Sequence, residues 1–238
     1  MNLILLHPED FIASDRVKVH GRRYEHARKV LDISIGQVLH VGILGGKIGA
    51  GTVLTFDSVA FEMAVQLNME PPKPPPITVI LAMPRPKVFK RVLQSMTAFG
   101  VKEIILLNSW RVDKSYWQSP ALESAVLREQ LLLGLEQARD TILPRVQLQK
   151  RFKPFVEDKL PAMASDSCAL VAHPGASHAC PANLPGKITL AIGPEGGFTP
   201  YEIDLLVNAG LSQVHLGVRP LRVEAAVAAF IGRLIPSI

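Results

Sequence analysis

Short, continuous apolar runs alternate with helix-like segments in the part of the chain that follows residue 76. The runs are ITVILAM (77–83), VKEIILLN (101–108), CALVAHP (168–174), ITLAIGP (188–194) and QVHLG (213–217). Residues 87–100 have helical spacing, and residues 121–139 form a long segment rich in Leu, Ala, Glu and Gln. Strands without polar alternation are buried on both faces, as in a parallel sheet that helices cover. The pattern predicts an α/β domain over residues 77–238.

The first 70 residues have a different pattern of short β-like runs separated by turn signals. These runs are NLILL, QVLHVGI, GKIGAGTVLTF and EMAVQLNM. One helix is predicted at RYEHARKVL (23–31), where Ala27, Val30 and Leu31 fall near one face. Strands of this length between glycine pairs predict a small barrel or sandwich.

A proline-rich segment separates the two patterns. Residues 71–76 contain five prolines, which can neither donate to a β-ladder nor continue a helix. We therefore expect a stiff, extended connector. The sequence predicts a β-domain over 1–70, a linker over 71–76 and an α/β domain over 77–238.

The composition limits the classes of protein. Hydrophobic residues make up 48% and charged residues 20%, which is typical of a soluble globular chain. No apolar run approaches the roughly 20 residues of a membrane span, and the first ten residues lack the basic start of a secretory signal. Cys168 and Cys180 do not have metal-site spacing, so we expect free thiols in a reducing cytoplasm and no metal.

The net charge of +5 is unevenly distributed. Residues 16–29 gather six Lys or Arg against one Glu, and residues 84–91 hold four without an acid. Such clusters indicate a polyanionic partner, but a solvated surface can have the same composition.

Three late strands end in loops of unusual composition. The loops are VAHPGA (171–176), AIGPEGGFT (191–199) and HLGVRPLRVE (215–224). Ligands of open parallel sheets bind beyond the carboxyl ends of the strands. The glycines of the middle loop either let a ligand approach the main chain or simply form a tight turn. Thr199, Pro200 and Glu202 predict the start of a helix, and Glu195 argues against a phosphate loop.

The third loop carries Arg219 and Arg222 just ahead of a predicted helix. Two arginines are unfavourable to the dipole of a helix N-terminus, so anion recognition is the natural reason for them. Glu224, in the first turn, is favourable to that dipole, and this alone would explain its presence.

Together, the loops resemble the RsmE family of small-subunit rRNA uridine N3-methyltransferases, within the SPOUT class. The resemblance lies in AIGPEGGFTPYEI (191–203) and LGVRPLRVE (216–224), where the family shows I-G-P-E-G-G-x-x-x-x-E-I and L-G-x-R-x-L-R-x-E-T, and in AHP (172–174). It implies a SPOUT-type trefoil-knotted domain after a small PUA-like β-barrel. It also implies methylation of 16S rRNA by S-adenosylmethionine, a cytoplasmic homodimer and no membrane association.

The resemblance also implies roles for the residues that match the family motifs. The cofactor cradle would be Ala172, His173, Pro174, Gly193, Pro194, Glu195, Gly196, Leu216, Gly217 and Leu221. Glu195 would face the positive charge of the cofactor. A loop histidine beside proline is more often a packing residue than a base, so His173 is placed with the cofactor.

Arg222 would stabilise the negative charge of the deprotonated uridine, with phosphate contact as the alternative. Glu224 would either orient Arg222 or accept the proton. Candidate RNA contacts are Arg22, Arg23, Arg28, Lys29, Arg85, Lys87, Arg111 and Arg219, each with surface solubility as its alternative.

Several substrate-side positions depart from the family pattern. These are Asp32, Ser95, Ala98, Trp110, Asp140 and Ala225. They leave open a methyltransferase that acts on another RNA base, and a non-catalytic RNA-binding or ribosome-assembly factor that retains the fold.

Overall fold

The computed structural model describes residues 2–236, and the chain divides into two compact units. The first contains the chain up to Lys73 together with Leu131–Leu143. The second contains Pro74–Gln130 and the chain from Pro144 onward.

The first unit is built on a six-stranded sheet. Its strands are β1 (Ile4–Leu6), β2 (Phe11–Ala13), β3 (Arg16–His20), β4 (Val38–Ile43), β5 (Ile48–Phe56) and β6 (Ala60–Met69). Their order is β1-β4-β5-β6-β3-β2, and all neighbours are antiparallel except β1 and β4. Helix α1 (Arg22–Val30) buries Tyr24 and Ala27 against the core of this sheet.

Polar alternation along these strands follows from a sheet with one buried face. In β3, Val17 and Val19 are buried while Arg16, Lys18 and His20 are exposed. This period of two places the side chains of a strand alternately on its two faces.

The second half of helix α3 (Ser124–Ala138) belongs to the first unit. Leu135 is buried in a cluster with Leu3 and Leu5, and the carbonyl of Glu136 accepts the backbone N–H of Leu3 at 3.0 Å. The sequence-based division assigned residues 131–143 to the second domain. In the structure this segment groups with the first unit instead. The partners of Leu135 lie at the start of the chain, so the sequence near Leu135 carries no sign of the contact.

The second unit contains a six-stranded parallel sheet. Its strands are β7 (Ile77–Ala82), β8 (Glu103–Leu107), β9 (Arg145–Gln149), β10 (Cys168–Ala172), β11 (Ile188–Ile192) and β12 (Ser212–Val214), in the order β12-β10-β11-β7-β8-β9. Every neighbouring pair is parallel. The predicted α/β class with a parallel sheet is confirmed.

The remaining helices also lie in this unit. They are α2 (Pro86–Ala98), α4 (Phe152–Asp158), α5 (Leu160–Ser165), α6 (Pro200–Asn208) and α7 (Val223–Leu234). Strand β11 is buried at all five positions, as its unbroken apolar run predicts. Helix α2 packs against α7. Within residues 2–236, no helix has both the length and the apolar character needed to cross a membrane.

Candidate functional site

One cavity of about 320 Å³ lies where β10, β11 and β12 end. In the sheet β10 lies between β12 and β11, so the loops that leave these strands start side by side. The wall consists of residues 172–174, 192–198, 215–217 and 219–221, with Arg111 and, from α7, Val223, Ala226 and Phe230. The three loops singled out in the sequence therefore share one concave site, and every residue of the predicted cofactor cradle lines it.

The glycine-rich loop after β11 is both a tight turn and a wall of the cavity. Gly197 has a φ of 69° and donates its N–H to the carbonyl of Pro194 at 2.8 Å. A Cβ on Gly193 would lie 3.1 Å from the nitrogen of Phe198, which is closer than nearly all real contacts. The loop needs glycine for its own geometry, and the same geometry brings its main chain to the cavity.

Helix α6 begins as predicted after this loop. The Thr199 side chain accepts the N–H of Glu202 at 3.2 Å, and the Glu202 carboxylate accepts the N–H of Thr199 at 2.8 Å. This reciprocal capping box confirms the predicted helix start.

Glu195 has a partner that its place in the sequence did not predict. Its Oε1 accepts the backbone N–H of Arg85 at 3.0 Å, at the N-cap position of α2. The carboxylate thus anchors the glycine-rich loop to the start of α2. This contact gives Glu195 a structural role, and its expected role toward the cofactor charge stays a prediction.

The loop after β12 is held by a histidine that the sequence analysis missed. His215 lines the cavity, and its Nδ1 accepts the N–H of Gly217 at 2.8 Å. An accepting Nδ1 places the proton of a neutral ring on Nε2. Gly217 has a φ of 113°, so this contact supports a turn that favours glycine. The HLG sequence gave no separate signal for His215.

His173 lies in the loop after β10 and is held there mainly through its backbone. Its N–H donates to the carbonyl of Val214 at 3.0 Å, and its carbonyl accepts the N–H of Ala176 at 3.1 Å. Its ring lies over Gly175, because a Cβ added there would be 2.9 Å from Nε2. These contacts agree with the interpretation of His173 as a packing and cavity-lining residue.

The two candidate catalytic side chains do not line the cavity. Arg222 is exposed at the N-cap of α7, between the cavity-lining Leu221 and Val223. Glu224 lies 4.0 Å, measured from Oε1, from Nη2 of Arg91. Among residues 2–236 no ion pair joins Glu224 to Arg222, so the expected orienting contact is absent from this structure.

Two of the candidate RNA contacts are engaged inside the first unit. Arg23 donates from both terminal nitrogens to the carboxylate of Asp10, and also to the carbonyl of Leu5 at 2.8 Å. Its side chain is only 12% exposed, so these contacts favour a structural role, and its assignment as an RNA contact stays an untested prediction. Arg22 makes a bidentate pair with the buried Glu136 at 2.6 and 3.0 Å, although it remains 45% exposed.

The other candidate cations are accessible. Arg28, Lys29, Arg85, Lys87, Arg111 and Arg219 are exposed. Lys29 pairs with Glu25 at 2.7 Å within α1. Arg111 donates from Nη1 to the carbonyl of Gly196, so it lies on the glycine-rich loop as well as on the surface.

No group of three metal-ligating side chains occurs among residues 2–236. Cys168 and Cys180 are free thiols, and burial raises the pKa of the Cys180 thiol. In α1, the buried Nε2 of His26 has no hydrogen-bond partner in the described part of the chain. Burial also lowers the pKa of His26, because desolvation disfavours the imidazolium.

Comparison with known proteins places this architecture among RNA-modifying enzymes. Residues 71–235 match the model of the RNA methyltransferase domain family. The ribosomal RNA small subunit methyltransferase E of Treponema pallidum is 26% identical over 235 residues, covering 96% of this chain and 88% of that protein. The ribosomal RNA small subunit methyltransferase E 1 of Borreliella burgdorferi is 25% identical, covering 96% and 95%.

Solved structures show the same fold. The ribosomal RNA small subunit methyltransferase E of Neisseria gonorrhoeae, bound to S-adenosyl methionine, aligns with a TM-score of 0.75 at 24% identity, over 97% of this chain and 95% of that one. A Legionella pneumophila protein in complex with SAM aligns with a TM-score of 0.74 at 22% identity, over 97% and 95%. At these identities the likeness establishes the fold.

Proposed function

The chain belongs to the RNA methyltransferase family, in its RsmE branch, and on this basis we propose that it methylates small-subunit (16S) rRNA at N3 of a uridine, with S-adenosylmethionine as the methyl donor. The observation that carries the proposal is the meeting of three loops, from adjacent parallel strands, around one cavity. Sites of this type lie where a ligand of an α/β sheet is expected.

The residues of the cavity fit this cofactor. A volume of about 320 Å³ lies within the range of small-molecule sites. Ile192, Leu216, Leu221 and Phe230 supply apolar walls, and the glycine loops supply accessible main chain. Residues 172–174 and 193–196, with Leu216, Gly217 and Leu221, would hold the molecule. When bound, it supplies an electrophilic methyl group on a positively charged sulfur.

The acceptor requires its own groups from this chain. A uridine N3 becomes nucleophilic when its proton leaves, and the resulting negative charge spreads over O2 and O4. Arg222 is assigned to stabilise that charge. Glu224 is assigned either to orient Arg222 or to take the proton. Arg222 is exposed and lies between Leu221 and Val223, which both line the cavity, and this supports the assignment. The Glu224–Arg91 ion pair, at 4.0 Å and partly exposed, is weak, so Glu224 can leave Arg91 for another partner at little cost.

RNA would be held by both units. The first unit is assigned as a PUA-like RNA-binding barrel over residues 1–70, with Arg22, Arg28 and Lys29 on its surface. Arg85, Lys87, Arg111 and Arg219 extend this contact in the second unit, over residues 77–238. The proposal also includes a trefoil knot around the cofactor site, a homodimer and a cytoplasmic location. Phosphate contacts of this kind make affinity fall steeply with salt.

Transfer of labelled methyl to rRNA tests the proposal. The substrate is small-subunit rRNA from a strain that lacks this gene, and nucleoside mapping of the product identifies the modified atom. We expect one N3-methyluridine in wild-type reactions and a strong loss with Arg222→Ala. Label at another base supports the alternative methyltransferase. Bound cofactor without label in RNA of either ribosomal subunit supports the non-catalytic assembly factor and refutes the proposal.

A further inference from the structure

A second cavity, of about 530 Å³, adjoins the first without any assigned role. Its wall includes the rings of Trp110, Phe152 and Tyr201, and we name it the aromatic groove. Two observations place it beside the cofactor cavity. Phe152 of the groove and Phe198 of the cavity have ring centroids 6.0 Å apart. Trp110 of the groove directly precedes Arg111 of the cavity.

Trp110 presents an exposed ring on an anchored backbone. Trp110 is 86% exposed. Its backbone N–H nevertheless donates to Oε1 of the buried Glu202 at 2.7 Å. The other carboxylate oxygen of Glu202 accepts from the N–H and the hydroxyl of Thr199, at 2.8 and 3.0 Å. Tyr201, one residue before Glu202 on α6, is 60% exposed. The buried carboxylate of Glu202 therefore ties the backbone of Trp110 to the start of the helix that carries Tyr201, while both residues remain exposed to a ligand.

The groove carries positive charge without a free acid. Lys114 and Lys153 lie in its wall, and Lys153 forms an exposed ion pair with Glu157 at 3.6 Å. Glu202 is the single acid of the wall, and both its oxygens are occupied. Ser109, also in the wall, has a buried hydroxyl without a hydrogen-bond partner among residues 2–236. Aromatic rings can stack on a nucleobase, and neighbouring lysines can contact the phosphates linked to it.

We propose that the aromatic groove binds an unpaired base of the RNA substrate that flanks the methylated nucleotide. The base stacks on Trp110 and Tyr201, and Lys114 and Lys153 contact the adjoining phosphates. This inference rests on the proposed function, because it assigns the RNA a path beside the cofactor cavity. Trp110 is one of the substrate-side positions at which this chain departs from the family pattern.

The first test uses a short, unstructured oligouridylate, with affinity measured by calorimetry and stacking measured by tryptophan fluorescence. Stacking on an exposed indole quenches its emission, so we expect saturable quenching in the wild type. Base–aromatic stacking predicts that Trp110→Ala weakens binding by about 5- to 140-fold. Trp110→Phe keeps a stacking ring and should bind within about threefold of the wild type while most of the quenching is lost. Val207→Ala, an exposed apolar change outside the groove on the same helix as Tyr201, should change neither.

A substrate change tests the groove without altering the protein. An oligonucleotide of the same length with abasic riboses keeps the phosphates but removes the rings. It should bind the wild type at least as weakly as the oligouridylate binds Trp110→Ala, because it loses stacking on both Trp110 and Tyr201. Equal binding of the two oligonucleotides to the wild type would overturn the proposal.

Methyl transfer separates this inference from the proposed function. With rRNA as substrate, Trp110→Ala should raise KM by the factor lost in affinity, with unchanged affinity for S-adenosylmethionine. If the wild type shows ring-dependent quenching but transfers no methyl group, the groove stands and the proposed function fails. If the wild type methylates and Trp110→Ala has an unchanged KM, the groove is wrong. Dissociation of an oligomer by Trp110→Ala, with RNA affinity unchanged, would assign the groove to a second copy of the chain and also refute the proposal.

Discussion

Replacement of Arg23 by alanine tests whether the basic cluster of residues 16–29 is one uniform RNA surface. Arg23 donates to both oxygens of the Asp10 carboxylate and to the carbonyl of Leu5. Asp10 is buried, and it also accepts the N–H of His7 at 2.7 Å. The contacts predict that Arg23→Ala destabilises the first unit and has no specific effect on RNA contacts.

The magnitude follows from the charge that the substitution leaves behind. Removal of one partner of a buried ion pair costs about 3–5 kcal/mol, because the other charge stays buried without compensation. Arg23 is 12% exposed, so water can partly enter the space that the substitution leaves and solvate Asp10. We therefore expect a value near the lower end, about 3 kcal/mol. That is a large part of the roughly 5–15 kcal/mol that stabilises an ordinary domain. For a unit of this size it corresponds to a fall in Tm of about 12–24 °C.

Calorimetry of the full-length protein and RNA binding at several salt concentrations form the assay. Arg28→Ala is the matched control, because Arg28 is an exposed cation of the same helix and should cost less than about 0.5 kcal/mol. Asp10→Asn combined with Arg23→Ala should recover part of the lost stability, since the uncompensated charge is gone. The reasoning is refuted if Arg23→Ala leaves Tm unchanged and reduces the salt dependence of RNA binding by about one phosphate contact.

Three further measurements test individual contacts of the two units. Glu195→Ala should weaken binding of S-adenosylmethionine by about tenfold in calorimetry, since it releases the loop from the N–H of Arg85 and removes a charge near the cavity; undiminished affinity would contradict both roles. Alkylation by iodoacetamide at pH 8, followed by mass spectrometry, should modify Cys168 well before Cys180, whose burial raises its thiol pKa; equal rates would contradict the assigned burial. The folded-state pKa of His26 is lowered, so the unfolded chain binds the proton first as pH falls below about 6.5. Tm of the wild type should therefore drop more than that of His26→Gln between about pH 7.5 and 5.5, and parallel curves would exclude this histidine as the cause.

Much of the second unit could be predicted because its strands are buried on both faces. The unbroken runs at β7, β8, β10 and β11 correspond to observed strands. Strand β9 (Arg145–Gln149) was missed, because it lies at the edge of the sheet and mixes polar with apolar residues. Such an edge strand does not have the apolar run on which the prediction depended.

The candidate site was predictable where local geometry demands particular residues, and unpredictable where the partners are distant. Glycines and the Thr199–Glu202 cap mark the loop after β11 within a few residues. The contact from Arg85 to Glu195 spans 110 positions, and nothing near Glu195 in the sequence announces it. Arg23 looked like its basic neighbours because the pairing with Asp10 depends on the fold of the first unit.

The placement of the acids determines how the net charge of +5 acts on a polyanion. Asp10, Glu136, Asp140 and Glu202 are buried, whereas no lysine or arginine is buried among residues 2–236. Asp10 and Glu136 bind arginines of the first unit, and Glu202 binds main-chain donors of the second. Internal acids therefore organise the fold while most cations remain at the surface. Because exposed cations release counterions from RNA, the charge distribution favours RNA affinity that weakens strongly with added salt, whichever base is modified.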